Sequence, residues 1–126
     1  MPNQRSAPVF LNLFRIRLPV AAVTSIAHRI SGVLMFSSLP LLIYLLGLSL
    51  QGPAGFEQAV ETLQSVWLRA GSVIIAWSVS HHLLSGIRFL LIDMNYGVGL
   101  QQAHRSAWLV NVAGVAMALA WLWWIL

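Results

Sequence analysis

The sequence predicts an all-α membrane protein with three transmembrane helices. Residues 30–50 and 106–126, 21 each, and residues 70–87, 18 in all, contain no charge, and such runs are long enough to cross a hydrocarbon core about 30 Å thick. Across all 126 residues, 59% are hydrophobic and only 8% charged, where soluble domains carry about a quarter charged. Helix breakers separate the runs, at Gln51-Gly52-Pro53-Ala54-Gly55 and again at Asn95-Tyr96-Gly97-Val98-Gly99. The expected organisation is a single membrane-anchor domain spanning residues 1–126.

All seven cationic residues are arginines. They flank the apolar runs and form no solvated basic face, so a nucleic-acid partner is not expected. Anionic lipid headgroups are the expected contact at the membrane surface. Cysteine is absent, which excludes disulfides, iron–sulfur clusters and covalently attached c-type haem within this chain.

Residues 1–19 mix Arg5, Arg15 and Arg17 with Val9, Phe10, Leu13 and Phe14. That mixture suits an interfacial segment with its arginines toward phosphate, or else a partly ordered tail. It makes a poor secretory signal, and the segment is expected to be retained.

The first span is expected at about 20–50, with Pro19 opening it where a missing N–H costs nothing. Pro40 should bend it by removing a backbone hydrogen bond. Ser25, His28, Arg29 and Gly32, at offsets i, i+3, i+4 and i+7, form one polar stripe at the membrane entrance.

A second span is expected at about 62–94. The third, at about 104–126, follows His104 and Arg105, read here as a loop, and ends in Trp121, Trp123 and Trp124, which suit an interfacial aromatic belt. Arginines concentrate in the N-terminal segment and the second loop, whereas the first loop holds Glu57 and Glu61 and only Arg69 near its span. The positive-inside rule then puts the N-terminus in the cytoplasm and the C-terminus in the periplasm.

The second span carries the chemistry. Ser80-His81-His82-Leu83-Leu84-Ser85-Gly86-Ile87-Arg88 places imidazoles and a guanidinium where such groups are costly unless satisfied. His82 and Gly86 share a helix face, and a glycine one turn from a histidine clears room for a flat ligand. The spacing reads as an axial haem ligand, with hydrogen bonding to a neighbouring helix as the alternative. His81 points about 100° away and cannot complete the iron coordination with His82. A low-spin electron-transfer haem needs two axial ligands, so the second is expected from another polypeptide.

Ser25-Ile26-Ala27-His28-Arg29-Ile30-Ser31-Gly32, followed by His82-x-x-x-Gly86-x-Arg88 and Asp93, resembles the larger membrane anchor of bacterial succinate dehydrogenases, the cytochrome b556 family. Residues 8–13, 16–19 and 55–59 are similar as well, so the likeness covers most of the chain. The resemblance implies a four-chain complex of the bacterial inner membrane. Succinate oxidation would lie on a flavoprotein carrying FAD, electrons would pass through an iron–sulfur subunit, and two anchors would share haem b and reduce ubiquinone.

Carried over by motif, His82 is the axial ligand to the haem iron, and a second membrane anchor supplies the other. His28 and Arg29 approach the propionates, while Ser25 and Arg29 line the quinone pocket. Phe89 stands where members often have histidine, Asn12 where an acid is common, and His81 is an additional imidazole. The alternatives are a fumarate reductase anchor and a haem-free structural anchor in which the histidines join helices. For Ser25, the alternative is a helix N-cap.

Overall fold

The computed structural model describes residues 18–126; nearly all of the expected interfacial segment at 1–19 lies outside the described residues. Among the described residues the chain is entirely helical, with α1 at Val20–Ser49, α2 at Pro53–Leu63, α3 at Val66–Asp93 and α4 at Leu100–Ile125. α1, α3 and α4 are each long and apolar enough to cross a membrane. They run up, down and up. The start of α1 meets the later part of α3 where Ser31 reaches His82. The start of α4 meets the end of α3 where Arg88 reaches Ser106. At the far end the Trp121 indole N–H donates to Ser72 Oγ at 2.9 Å.

α1 begins directly after Pro19, which is extended (φ −64°, ψ 149°). It continues helical through Pro40. Gly52 then adopts φ +106°, a conformation that favours glycine, and Pro53 opens α2. α2 folds back on the end of α1. Its Gly55 lies so close to the Leu48 carbonyl that a Cβ would collide with backbone.

The expected second span is divided differently from the sequence reading. Thr62 belongs to α2, and the chain turns at Gln64 and Ser65 before α3 starts at Val66. Ser65 causes the break locally: its Oγ accepts from the Leu68 N–H at 3.4 Å, an N-cap that begins a new helix. α3 ends in a Schellman-type turn with Asn95 left-handed (φ +64°), the Tyr96 N–H donating to Leu91 O at 2.8 Å and the Asn95 N–H to Ile92 O at 2.9 Å. α4 already begins at Leu100, so His104 and Arg105 stand in its first turns and not in a loop.

The bundle buries polar side chains among small and apolar ones and exposes large apolar residues. Its buried positions include Thr24 and Ser31 of α1, Ser78, His81, Ser85 and Arg88 of α3, and Ala107, Val110, Gly114 and Ala118 of α4. Phe36, Trp67, Leu83, Leu109 and Trp123 are exposed. Lipid removes the hydrophobic drive between helices, so small residues and internal hydrogen bonds hold them together. Residues 78, 81, 85 and 88 recur at helical spacing and turn one face of α3 toward α4; His82, Gly86 and Phe89 occupy the adjacent face, toward α1.

Candidate functional site

α1 and α3 bring His28 and His82 together. Their rings stack with centroids 4.1 Å apart and planes 15° apart. The sequence places His28 near the membrane surface, in the same site as His82 or an adjacent one. In the structure α1 starts eight residues before His28, which sets it about 12 Å along the helix at 1.5 Å per residue. His82 stands 11 residues before Asp93, or about 16 Å from that same end of the bundle. The two imidazoles therefore share a level.

The hydrogen bonds around His82 determine which nitrogen carries its proton. Nδ1 lies 3.1 Å from the His28 carbonyl oxygen and 3.2 Å from Ser31 Oγ. The carbonyl can only accept. The Ser31 hydroxyl hydrogen is already given to that same carbonyl at 2.7 Å, so its oxygen is left to accept as well. Nδ1 is thus the N–H, and Nε2 holds a lone pair that no described residue hydrogen-bonds. Metal-bound histidines characteristically donate their other N–H to a carbonyl in this way.

Gly32 makes room for the arrangement. A Cβ at Gly32 would lie 3.1 Å from His82 Cε1, too close for the ring to stay where it is. A Cβ at Gly86 would meet His28 Nε2 at 3.7 Å, an ordinary contact. That Nε2 is buried and has no hydrogen-bond partner among the described residues. Phe89 meets the His28 ring edge-on at 5.3 Å and forms an aromatic wall.

His81 serves a different purpose from its neighbour. It is 1% exposed and faces α4. Its Nε2–H donates to Asn111 Oδ1 at 3.0 Å, and Ser85 Oγ donates to its Nδ1 at 3.3 Å. Trp77 stacks on it at 5.2 Å. Thr24 Oγ1 also reaches Asn111 Oδ1, at 3.2 Å, and shares its hydrogen with Val20 O at 3.0 Å. One asparagine therefore ties all three spans. The adjacent imidazoles carry their protons on opposite nitrogens: His81 has both nitrogens engaged, and His82 keeps one open.

Ser25 is half-buried inside α1, one turn before Arg29, which is exposed. The N-cap alternative for Ser25 fails, because the cap position is Pro19. Ser25, His28, Arg29 and Gly32 do lie along one stretch of α1, with His28 and Gly32 directed at α3. Buried Arg88 donates from Nε to Ser106 Oγ and from an Nη to the Ala103 carbonyl, each at 3.0 Å.

A cavity of about 890 Å³ in the other half of the bundle is lined by Leu34, Leu41, Leu45, Ile75 and Val79 among others and holds no ionisable side chain. None of the histidines, and neither Arg29 nor Arg88, lines it. The parts that sequence reasoning passed over are Ser31 and Asn111. A lone asparagine in the middle of an apolar span was the signal available for the second.

The family model described as succinate dehydrogenase/fumarate reductase transmembrane subunit matches residues 2–123. The succinate dehydrogenase cytochrome b556 subunit of Paracoccus denitrificans is 33% identical over 120 residues, covering 93% of this chain and 90% of the relative. The subunit of the same name from Coxiella burnetii is 32% identical over 120 residues, covering 92% and 96%. The mitochondrial cytochrome b560 subunit of Mus musculus is 30% identical over 123 residues, covering 93% and 67%.

Proposed function

Starting from the chain's membership of the succinate dehydrogenase/fumarate reductase transmembrane subunit family, we propose that it anchors such a complex in the membrane and holds haem b through His82 Nε2. One observation carries the reading. The N–H of His82 is committed to the His28 carbonyl and Ser31, which leaves a lone pair on Nε2 and a ring that cannot turn freely. Those features fit an axial ligand of a non-covalent haem, and the absence of cysteine agrees with b-type binding.

The second ligand comes from a partner anchor subunit. His28 is not the candidate, because its ring is stacked on the His82 ring, beside the nitrogen that would hold the haem. His28 offers its unpartnered Nε2, and Arg29 its guanidinium, to the propionates. Ser25 donates to a ubiquinone carbonyl, and Arg29 stabilises the negative charge that grows on reduction. Bound haem b supplies one-electron storage near that quinone.

Succinate oxidation, with its FAD and iron–sulfur clusters, lies on partner subunits. The membrane is the bacterial inner membrane. The end carrying Arg29, Arg88 and Arg105 faces the cytoplasm and the Trp121–Trp124 end faces the periplasm, as the arginine distribution favours.

The test is the His82→Ala variant of the assembled complex, purified in mild detergent. Loss of the b-type band from the reduced-minus-oxidised spectrum is expected; an unchanged band refutes the ligand. Ser25→Ala and Arg29→Ala should lose quinone turnover while succinate oxidation by artificial acceptors persists. Normal quinone turnover in both removes the pocket assignment.

A further inference from the structure

We infer that Ser31 is a positioning residue that sets the electron-donating strength of His82, and with it the reduction potential of the haem. Ser31 is fully buried at 0% exposure, although a serine on a membrane helix can easily face lipid or satisfy itself on its own backbone. Its hydroxyl does bond its own helix, giving its hydrogen to the His28 carbonyl at 2.7 Å. The lone pairs that remain face His82 Nδ1 at 3.2 Å.

Ser31 therefore acts in two ways at once. It is the second acceptor for the His82 N–H, and it holds in place the carbonyl that is the first acceptor. Electron density drawn toward Nδ1–H acceptors makes Nε2 a better donor, and a better donor favours ferric over ferrous iron. Ser31 should accordingly hold the potential down. Its position is dictated by sequence: three residues after His28 it lies one turn along α1, next to Gly32, whose missing side chain admits the His82 ring.

The inference rests on His82 as the ligand, so both are tested in the same preparation. Three variants of the assembled complex are compared with wild type for haem content by pyridine haemochrome and for midpoint potential by redox titration. Ser31→Ala should retain haem but show a raised potential. Removing an outer-shell partner typically costs about 10- to 100-fold in metal affinity or activity. The His28 carbonyl remains as one acceptor, so about a tenfold fall in the ferric-to-ferrous preference is expected, equivalent to about 59 mV for one electron.

Ser78→Ala is the control. Ser78 is equally buried at 0% exposure, but its hydroxyl donates to Ile74 O and makes no hydrogen bond to His82. Its potential should match wild type. A wild-type potential in Ser31→Ala, or equal shifts in both variants, overturns the role given to Ser31 and leaves the ligand assignment intact. Retention of b-type haem in His82→Ala overturns the ligand assignment instead. Should Ser31→Ala lose haem altogether, Ser31→Thr decides the matter. Haem restored at the wild-type potential supports the hydroxyl, and haem absent from both variants refutes a tuning role.

Discussion

Replacing Gly32 by alanine would separate positioning of His82, the proposed haem ligand, from stability of the bundle. The added Cβ would stand 3.1 Å from His82 Cε1 and 3.4 Å from its Nδ1. Non-bonded carbons prefer about 3.5–4.0 Å, so the ring must give way by a few tenths of an ångström. It has little room, being stacked on His28 and tied at Nδ1 to two oxygens. Swinging away gives up one or both hydrogen bonds, at about 0.5–1.5 kcal/mol each. Forcing α1 from α3 instead is overpacking, which costs about 1–3 kcal/mol. Alanine in a helix recovers about 1 kcal/mol relative to glycine. The two sides nearly cancel, leaving global stability changed by no more than about 2 kcal/mol. The geometry of the ligand has no such compensation. Gly32→Ala should therefore assemble and melt close to wild type, yet show a lower haem-to-protein ratio or a displaced b-type spectrum. Gly47→Ala, where nothing lies within 4 Å of the new methyl, should leave the haem unchanged. Full haem occupancy with a wild-type spectrum in Gly32→Ala would refute the packing argument and the His82 geometry behind it.

The other perturbations separate the two adjacent histidines and the supporting contacts. His81→Ala should keep b-type haem but lower the melting temperature of the purified complex, because it removes a buried ring from between α3 and α4; loss of haem with unchanged melting would reverse the assignment of the pair. Asn111→Leu leaves the His81 N–H without its acceptor and cuts the link to Thr24. It should destabilise by about 0.6–1.7 kcal/mol, the range for hydrogen bonds between membrane helices, measured by thermal melting in detergent with haem content unaltered. Gly55→Ala drives a methyl into the Leu48 carbonyl. Detachment of α2 should follow, read as faster proteolysis in residues 50–65, and wild-type resistance would count against the close packing of α2 on α1.

Three spans were legible because bilayer thickness imposes long charge-free runs, and those are counted directly from residues. The boundaries were less legible. A continuous second span from residue 62 overlooked Ser65, whose capping power depends on its own extended backbone, and on the Leu68 N–H reaching it. His104 and Arg105 looked like loop residues because they are charged or titratable. They were compatible with α4 all along, since the first turns of a helix at the membrane edge are wet.

The site divides in the same way. His82, Gly86, His28 and Gly32 could be found from spacing alone, because periodicity reports which residues share a face of one helix. Spacing is silent about pairings between helices. That His28 gives its carbonyl, in addition to its ring, to His82 depends on how α1 sits against α3, as does the part played by Ser31. Phe89, noted only as a departure from pattern, proves to meet His28 at an edge.

The adjacency of His81 and His82 is what links fold to site. Consecutive helical residues point about 100° apart, so fixing the direction of one fixes the other. His81 is held on the α4 side by Asn111, and Arg88, seven residues on and nearly in phase, is held there by Ser106 and Ala103. With α3 pinned at both points, His82 has no choice but to face α1, where an acceptor carbonyl and a glycine gap receive it. A helix held only by apolar contacts in lipid would lack this constraint, since lipid tails compete with side chains on nearly equal terms. The buried polar seam thus restricts the rotation of α3. That restriction explains why polar groups that contact neither lipid nor the open nitrogen of His82 occupy the middle of a membrane bundle.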